Sequence, residues 1–260
     1  MAVETTVSAP TLTSTADSNP PPTSVDRRTI TIAADPWCPH NCRAGAQREG
    51  YMIDIAREAF ALARLEVEYD NVSWARALEL ADDGYIDAVV GAFTRPEDGF
   101  VYPDEAIGYA RTALYTSLDS DWTYDGVESL TDHTLVTING YSYAPSLDAY
   151  IEQHRDDPQR VWILSGPSPL DRAIELLEQD RSDVLPEDLH VMRWTLEHLD
   201  KKGTLRKVVQ FKPVPVYVAF SETNPQSAEL ATLFSEGVRK LRRSGRLDEI
   251  LARYGVSWSD

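Results

Sequence analysis

The chain has 260 residues, of which 42% are hydrophobic, and its 42 Asp and Glu outnumber 25 Lys and Arg. This length and composition suffice for a full globular core in one large domain or two smaller ones, which argues against disorder throughout. The formal net charge of -17 argues against nucleic acid or an anionic membrane surface as a partner, because the mean field repels phosphate groups. No run approaches the ~20 apolar residues of a membrane helix.

The N-terminal segment has a composition of its own. Residues 2–27 contain no aromatic residue and are rich in Ser, Thr and Pro, which predicts a disordered leader over residues 1–27. The segment lacks the basic and apolar regions of a signal peptide, and we interpret it as the tether left after a secretion signal is removed. A periplasmic location follows from this interpretation. A cytoplasmic protein with a natural disordered tail is the alternative.

Two cysteines, Cys38 and Cys42, lie in a proline-flanked Cys-x-x-x-Cys loop. Such a pair can close a small disulfide loop in an oxidising compartment. His40 between them also raises the possibility of zinc. A structural zinc site needs four ligands, however, and the sequence has no second Cys or His cluster. We therefore expect a disulfide, no metal and no other cofactor.

The first part of the chain alternates strand-like and helix-like segments. Strands are predicted over 28–34, 66–72 and 85–93, and amphipathic helices over 52–65 and 74–83. The segment 85–93 is nearly continuously apolar, as is typical of a strand buried on both faces of a parallel sheet. The alternation predicts an α/β domain.

An internal similarity indicates a second unit of the same kind. Residues 77–89 align without a gap on residues 173–185, and each copy holds a helix, a polar turn, an Asp (Asp87, Asp183) and an apolar strand. Chance similarity between helix-rich segments is the alternative. Strand-like runs at 134–138 and 160–164 supply the rest of a second α/β unit, so we predict two similar lobes.

The last part of the chain contains no complete third unit. Pro213 and Pro215 interrupt the apolar segment 212–220, which predicts a connector or an edge strand, because proline cannot donate a ladder hydrogen bond. Two amphipathic helices follow, separated by Gly245. They must pack on one of the two lobes.

Several short motifs follow one another in a distinctive order and spacing between residues 28 and 260. They are residues 50–56, Trp74, residues 84–88, 100–104, 136–140, 241–245 and 250–254. Together they resemble the bacterial extracellular solute-binding proteins of the polar-amino-acid type, the bilobed receptors of ABC importers. Each motif is weak alone, and the resemblance depends on their order.

This resemblance implies a periplasmic-binding-protein-like clamshell (type II) of two α/β lobes joined by two crossover strands. Lobe 1 would comprise residues 28–117 and 214–260, and lobe 2 residues 118–213. It further implies a non-catalytic, monomeric protein that captures a small polar solute, an amino acid or a related organic compound, between the lobes. Its partner would be an ABC permease in the inner membrane.

The resemblance assigns ligand contacts in lobe 1 to Trp37, Trp74, Arg76, Gly91 and Thr94. Trp37 would stack on the ligand, Trp74 and Arg76 open a helix whose first turn faces the cleft, and Gly91 and Thr94 end the buried strand. Two alternatives stay open: Trp37 packs only on the disulfide loop, and Arg76 points to solvent.

Arg95 is a further candidate at the end of the same strand. Amino-acid binders of the family carry an Arg that grips the α-carboxylate, but the aligned position here falls near Gly99. Arg95 is the only nearby guanidinium, which suits bidentate pairing with a carboxylate. A surface ion pair with Glu97 or Asp98 is the alternative, so the sequence leaves open whether the ligand is an amino acid.

In lobe 2 the resemblance assigns ligand contacts to Gly140, Tyr141, Tyr143, Glu187 and Asp188. The loop with Gly140 would donate backbone N–H groups, since glycine permits close approach, and the two tyrosines would extend the aromatic lining or merely cover the surface. Asp188 best matches the acid that pairs with an α-amino group. The alternative is that it caps the following helix.

Two rival functions remain. The first is an enzyme on the same fold, dehydratase-like or lytic, in which Glu187 or Asp188 has a raised pKa and acts as a general acid; no nucleophile–base signature such as GxSxG or HExxH supports it. The second is the ligand-sensing module of a signalling receptor. The abundance of acid does not predict a cationic ligand, because most of that charge must lie on the surface.

Overall fold

The structure is a computed structural model that describes Met1 and residues 28–94 and 99–258. The predicted leader beyond Met1 lies outside the described residues, and so does the candidate ligand contact Arg95.

Eleven strands and seven α-helices form in this part of the chain. The strands are β1 (Thr29–Ala34), β2 (Glu66–Asn71), β3 (Ala88–Ala92), β4 (Phe100–Val101), β5 (Gly108–Ala110), β6 (Thr112–Ser117), β7 (Leu135–Ile138), β8 (Val161–Leu164), β9 (Leu185–Asp188), β10 (Leu205–Gln210) and β11 (Val214–Ser221). The helices are α1 (Tyr51–Ala61), α2 (Trp74–Asp82), α3 (Pro145–His154), α4 (Pro169–Glu178), α5 (Leu189–His198), α6 (Ser227–Arg243) and α7 (Arg246–Arg253). None of these helices combines the length and apolarity needed to cross a membrane.

The first lobe is built on a six-stranded sheet in the order β2-β1-β3-β11-β4, with β5 paired to β11. The strands β2, β1 and β3 run parallel to one another. The central strands β1 and β3 are almost wholly buried, as the continuous apolar pattern of β3 predicts. The predicted strand of residues 85–93 is shorter in the structure because residues 85–87 form the turn before β3.

Strand β11 corrects the prediction of a connector or an edge strand. It lies inside the sheet, antiparallel to β3 on one side and to β4 on the other, and its first residues pair with β5. Pairing with β3 begins only at Tyr217, whereas Pro215 pairs with Tyr109 of β5. Pro215 therefore lies beyond the part of β11 that is bonded on both sides, and an interior strand tolerates it.

The terminal helices α6 and α7 pack on this first lobe, as predicted. Phe234 of α6 packs against Phe60 of α1, with ring centroids 5.5 Å apart. Helices α6 and α1 approach closely at Gly237 of α6, where a Cβ atom would lie 2.6 Å from the carbonyl oxygen of Ala59 on α1. The largest buried apolar cluster of the molecule results from this packing.

The second lobe has two smaller sheets. One contains β10, β6 and β9, all antiparallel, and the other pairs β7 with β8 in parallel. Because β6 pairs only with second-lobe strands, the chain crosses between the lobes at Arg111, and it returns between β10 and β11. We therefore propose that lobe 2 begins at Thr112, ahead of the boundary at residue 118 that the sequence predicts.

Candidate functional site

A cavity of about 450 Å³ lies in the cleft between the lobes. We call it the main cavity. The first lobe contributes the loop after β1, one face of α2 and the end of β3, and the second lobe contributes the loop after β7. The lining residues are Asp35, Trp37, Asn41, Trp74, Leu78, Glu79, Asp82, Val90, Gly91, Ala92, Phe93, Phe100, Tyr102, Gly140, Tyr141 and Ser142.

A second cavity of about 690 Å³ lies in the same cleft. Asp35, Trp37, Trp74 and Tyr141 line both cavities and so form the partition between them. On the far side, Trp194 of α5 is one of the lining residues. The cleft is thus divided into two chambers by side chains from both lobes.

Aromatic side chains make up much of the wall of the main cavity. They are Trp37, Trp74, Phe93, Phe100, Tyr102 and Tyr141. Gly91 leaves room beside one of them, because a Cβ atom there would lie 3.8 Å from the Trp37 ring, and its φ of 96° is one that side chains rarely adopt. Such a wall suits the apolar or cationic part of a small molecule.

Asp35 is the carboxylate at the partition. It follows β1 directly and accepts a hydrogen bond from the Tyr141 hydroxyl group of the second lobe. Burial raises the pKa of Asp35 to about 6. The side chain therefore carries a charge at neutral pH that the protein compensates only in part.

Asn41 lies beside this carboxylate. Its Nδ2 donates to the backbone oxygen of Asp35 at 2.6 Å, which fixes the orientation of the amide. Its Oδ1 atom is buried and has no hydrogen-bond partner among the described residues. Since a buried acceptor without a partner is costly, this atom marks a position where a ligand donor would be favourable.

The two lobes are in contact across the cleft. Trp37 Nε1 donates to Glu187 Oε1 at 2.9 Å, and His40 Nε2 lies 2.9 Å from Asp188 Oδ1. At Gly140 a Cβ atom would lie 3.4 Å from the Trp74 side chain. The structure therefore represents the closed arrangement of the lobes.

Glu187 and Asp188 are neighbours with opposite pKa shifts. Both are buried. Burial raises the pKa of Glu187 to about 8. Burial also acts on Asp188, but the interaction with His40 and the backbone N–H groups of Arg111 and Val191 outweigh it and hold the pKa at about 2.

Asp188 has the alternative role that the sequence left open. It is the N-cap of α5 and accepts from the backbone N–H groups of His190 and Val191. Neither Asp188 nor Glu187 is among the residues that line the two cavities. The described geometry therefore places both carboxyl groups at the junction of the lobes rather than on the cavity wall, and a direct ligand contact for them stays a prediction.

Three other predicted contacts also lie away from the main cavity. Arg76 points to solvent and pairs with Glu79 at 3.0 Å, as in the alternative left open. Tyr143 is buried, and its hydroxyl group accepts from the backbone of Ile138 at 2.9 Å. Thr94 is exposed at the end of the described segment.

Five predicted contacts do line the main cavity: Trp37, Trp74, Gly91, Gly140 and Tyr141. The sequence did not lead us to Asp35, Asn41, Phe100 and Tyr102. A signal existed for Asp35, which directly follows the first strand, where ligand sites of α/β sheets lie. Phe100 and Tyr102 belong to the motif of residues 100–104, on which the family resemblance depends, but the sequence does not indicate that their side chains face the cleft.

The disulfide prediction is confirmed, since Cys38 and Cys42 are bonded to each other. Their sulfur atoms are therefore not available as thiolate ligands for zinc. The ring of His40 is also engaged on both sides, by Asp188 and, at 2.7 Å, by the hydroxyl group of Tyr51. In the described part of the chain no cluster of His, Cys, Asp and Glu suits a metal ion.

Comparisons with known proteins agree with this architecture. The family model of the bacterial extracellular solute-binding proteins, family 3, matches residues 30–257. A comparison with curated protein sequences gives no match.

Among solved structures, a histidine kinase sensor domain with similarity to periplasmic binding proteins has a TM-score of 0.71 at 19% identity, covering 88% of this chain and 96% of its own. The arginine-, lysine-, histidine-binding protein ArtJ from Geobacillus stearothermophilus has a TM-score of 0.71 at 15% identity, with coverages of 87% and 95%. The amino acid ABC transporter substrate-binding protein AbpA from Streptococcus pneumoniae, bound to L-arginine, has a TM-score of 0.68 at 18% identity, with coverages of 87% and 94%. These likenesses confirm the predicted periplasmic-binding-protein-like fold.

Proposed function

Because this chain belongs to the bacterial extracellular solute-binding proteins of family 3, we propose that it captures a small polar organic solute between its lobes and presents it to an ABC permease. The observation that carries the proposal is the main cavity, which is lined by aromatic and carboxylate side chains of the first lobe and by the loop after β7 of the second. We expect the protein to act as a monomer outside the cytoplasm.

The mechanism we propose is closure around the solute. A solute that contacts Trp74 of the first lobe and Tyr141 of the second gains its full binding energy only when the lobes meet. It therefore shifts the equilibrium toward the closed state. The closed state also contains the hydrogen bonds between Asp35 and Tyr141 and between Trp37 and Glu187. The permease would then recognise the closed form.

No catalytic step is part of this proposal. Glu187 has the raised pKa that a general acid needs, but its Oε1 atom accepts from Trp37 and from the backbone of Asp188 at 2.7 Å. These bonds hold the carboxyl group at the lobe junction, outside the set of residues that line the cavities. The family is also one of binding proteins.

A second candidate is the ligand-sensing module of a signalling receptor. The likeness to a histidine kinase sensor domain favours it. Both candidates share the binding step and differ in the partner. Deletion of the gene would abolish uptake of the radiolabelled solute if the protein serves an importer, and would leave uptake unchanged if it serves only a sensor.

A thermal-shift screen tests the binding step. The panel contains amino acids, polyamines, organic acids and peptide-derived solutes, and at about 100 times its Kd a true ligand adds ~2.7 kcal/mol of stability. Trp74→Ala should lose most of that stabilisation. The matched control is Trp162→Ala, because this indole lies on β8, outside both cavities, and donates to the backbone oxygen of Pro158. A panel without any stabiliser, or a Trp74→Ala variant that keeps the full shift, would count against the proposal.

A further inference from the structure

The charged side chains of the described residues that line the main cavity all have the same sign. They are Asp35 at the partition and Glu79 and Asp82 on α2. Glu79 and Asp82 are exposed and lie at the rim, and Arg76 outside the cavity partly neutralises Glu79. None of the described lining residues is Lys, Arg or His. Within the described part of the wall, a bound carboxylate would therefore meet negative charge and no fixed cation to pair with.

Several polar donors around the cavity are already used within the protein. The hydroxyl group of Tyr141 donates to Asp35, that of Ser142 donates to Asp148, and Trp37 Nε1 donates to Glu187. Acceptor capacity, by contrast, remains, most clearly at the buried Oδ1 atom of Asn41. The wall is thus matched to a ligand that brings donors and positive charge.

The aromatic side chains fit the same ligand. Trp37 and Trp74 reach the partition where Asp35 lies, so a cationic group there can be close to a carboxylate and to indole rings at once. Aromatic rings attract a cation through their negative faces, and Trp does so most strongly. Burial that raises the pKa of Asp35 is consistent with a charge that lacks its partner.

We propose that the main cavity selects an organic cation that carries no carboxylate group, with its charged nitrogen at Asp35 and its apolar part on the aromatic wall. This inference rests on the proposed function and narrows the ligand class. It separates the chain from a receptor for free amino acids, whose ligands carry a carboxylate as well as an amine.

Matched probes test the inference by calorimetry on the full chain. Agmatine is paired with arginine, and choline with betaine, because each pair shares a cationic group and differs mainly in the carboxylate. In at least one pair we expect the carboxylate-free cation to bind about 10-fold or more tightly than its partner. Succinate, as a plain organic acid, should not bind.

Asp35→Asn tests the contact itself. The amide retains an acceptor for Tyr141 but loses the charge, so the affinity for the cation should fall about 10- to 100-fold, the range of a hydrogen bond to a charged group. Asp121→Asn is the control with the same change in net charge, because Asp121 is exposed in the second lobe and lines neither cavity.

The inference is overturned if neither pair favours the carboxylate-free cation, that is, if arginine and betaine each bind as tightly as their partners or more tightly. An Asp35→Asn variant, folded by circular dichroism, that binds the cation as well as wild type also overturns it. If only organic acids or neutral solutes bind in the cleft, the inference fails and the proposed function stands. If no solute of any class binds, the proposed function fails as well.

Discussion

The two lobes contain the same pair of hydrogen bonds between an Asp and a Thr at equivalent positions. In the first lobe, the backbone N–H of Asp87 donates to the Thr31 oxygen at 2.9 Å, and Asp87 Oδ2 accepts from the Thr31 N–H at 2.8 Å. In the second lobe, Asp183 exchanges the same two bonds with Thr134, at 3.0 and 2.7 Å. The internal repeat of the sequence thus encodes an Asp that ties the turn before a strand to the neighbouring parallel strand.

The strands that follow these two Asp residues end in different contacts. After Asp87, β3 ends in residues 90–92, which line the main cavity together with Phe93. After Asp183, β9 ends in Glu187 and Asp188, which bond to Trp37 and His40 of the other lobe. The end of β3 in the first lobe therefore lines the cavity, whereas the equivalent end of β9 in the second lobe bonds to the other lobe.

Removing the lobe junction should have the largest effect. Asp188→Ala leaves His40 buried without its partner and removes the N-cap of α5, so we expect a loss of about 3–5 kcal/mol in the free energy of unfolding, measured with urea. Asp188→Asn keeps an N-cap and should lose less. Equal losses in the two variants, or losses under ~1 kcal/mol, would show that the junction does not hold the lobes.

Removing the Asp of each hydrogen-bonded pair should have the next largest effect on stability. Asp87 is partly buried and also accepts from Asn224 at 2.7 Å, whereas Asp183 is exposed. Asp87→Ala should therefore cost about 2–3 kcal/mol and Asp183→Ala about 1 kcal/mol. Urea unfolding of the two variants side by side measures the difference. A larger loss for Asp183→Ala would contradict the weight given to the burial of Asp87 and to its bond with Asn224.

The dependence of stability on pH should be a smaller effect than that of Asp87→Ala. The folded-state pKa of Glu187, about 8, lies above its ordinary value of 4.5, so the folded protein holds this proton more tightly than the unfolded chain. Stability then falls as the pH rises toward 8, by on the order of 2 kcal/mol between pH 6.5 and 8. This window lies above the pKa of Asp35, about 6, and begins at the ordinary value of 6.5 for His190, so both groups finish most of their titration below it.

Glu187→Gln sharpens this test. The amide has no proton to lose, so the slope of stability against pH between 6.5 and 8 should nearly vanish. Asp121→Asn should keep the wild-type slope, since it removes an exposed carboxyl group. Identical slopes in all three proteins would mean that Glu187 is ionised at the junction.

Much of the framework could be predicted from the sequence because it depends on local patterns. The apolar periodicity gave β1, α1, β2 and α2 to within a few residues, and the repeat indicated the second lobe. The position of β11 could not be predicted in this way, because whether a strand with Pro215 is interior depends on which neighbour reaches each part of it.

The site residues also fall into those that local patterns predict and those that depend on tertiary contacts. Trp37, Trp74 and Gly140 follow predicted strands or open a predicted helix, and such positions meet at the cleft of a two-lobed fold. The directions of Glu187 and Asp188 depend on the end of β9 and on the cap of α5, which only the folded contacts decide. Asp35 was visible in the sequence as an acid after a strand, but the lack of a cation among the described residues around it is a property of the assembled wall.

If both lobes grip one solute in the main cavity, a crystal structure with the best stabiliser from the screen should show it there. We expect density for the solute between Trp74 of the first lobe and Tyr141 of the second, with a polar group at Asp35. Density for the solute outside the cleft, or in contact with one lobe only, would contradict it.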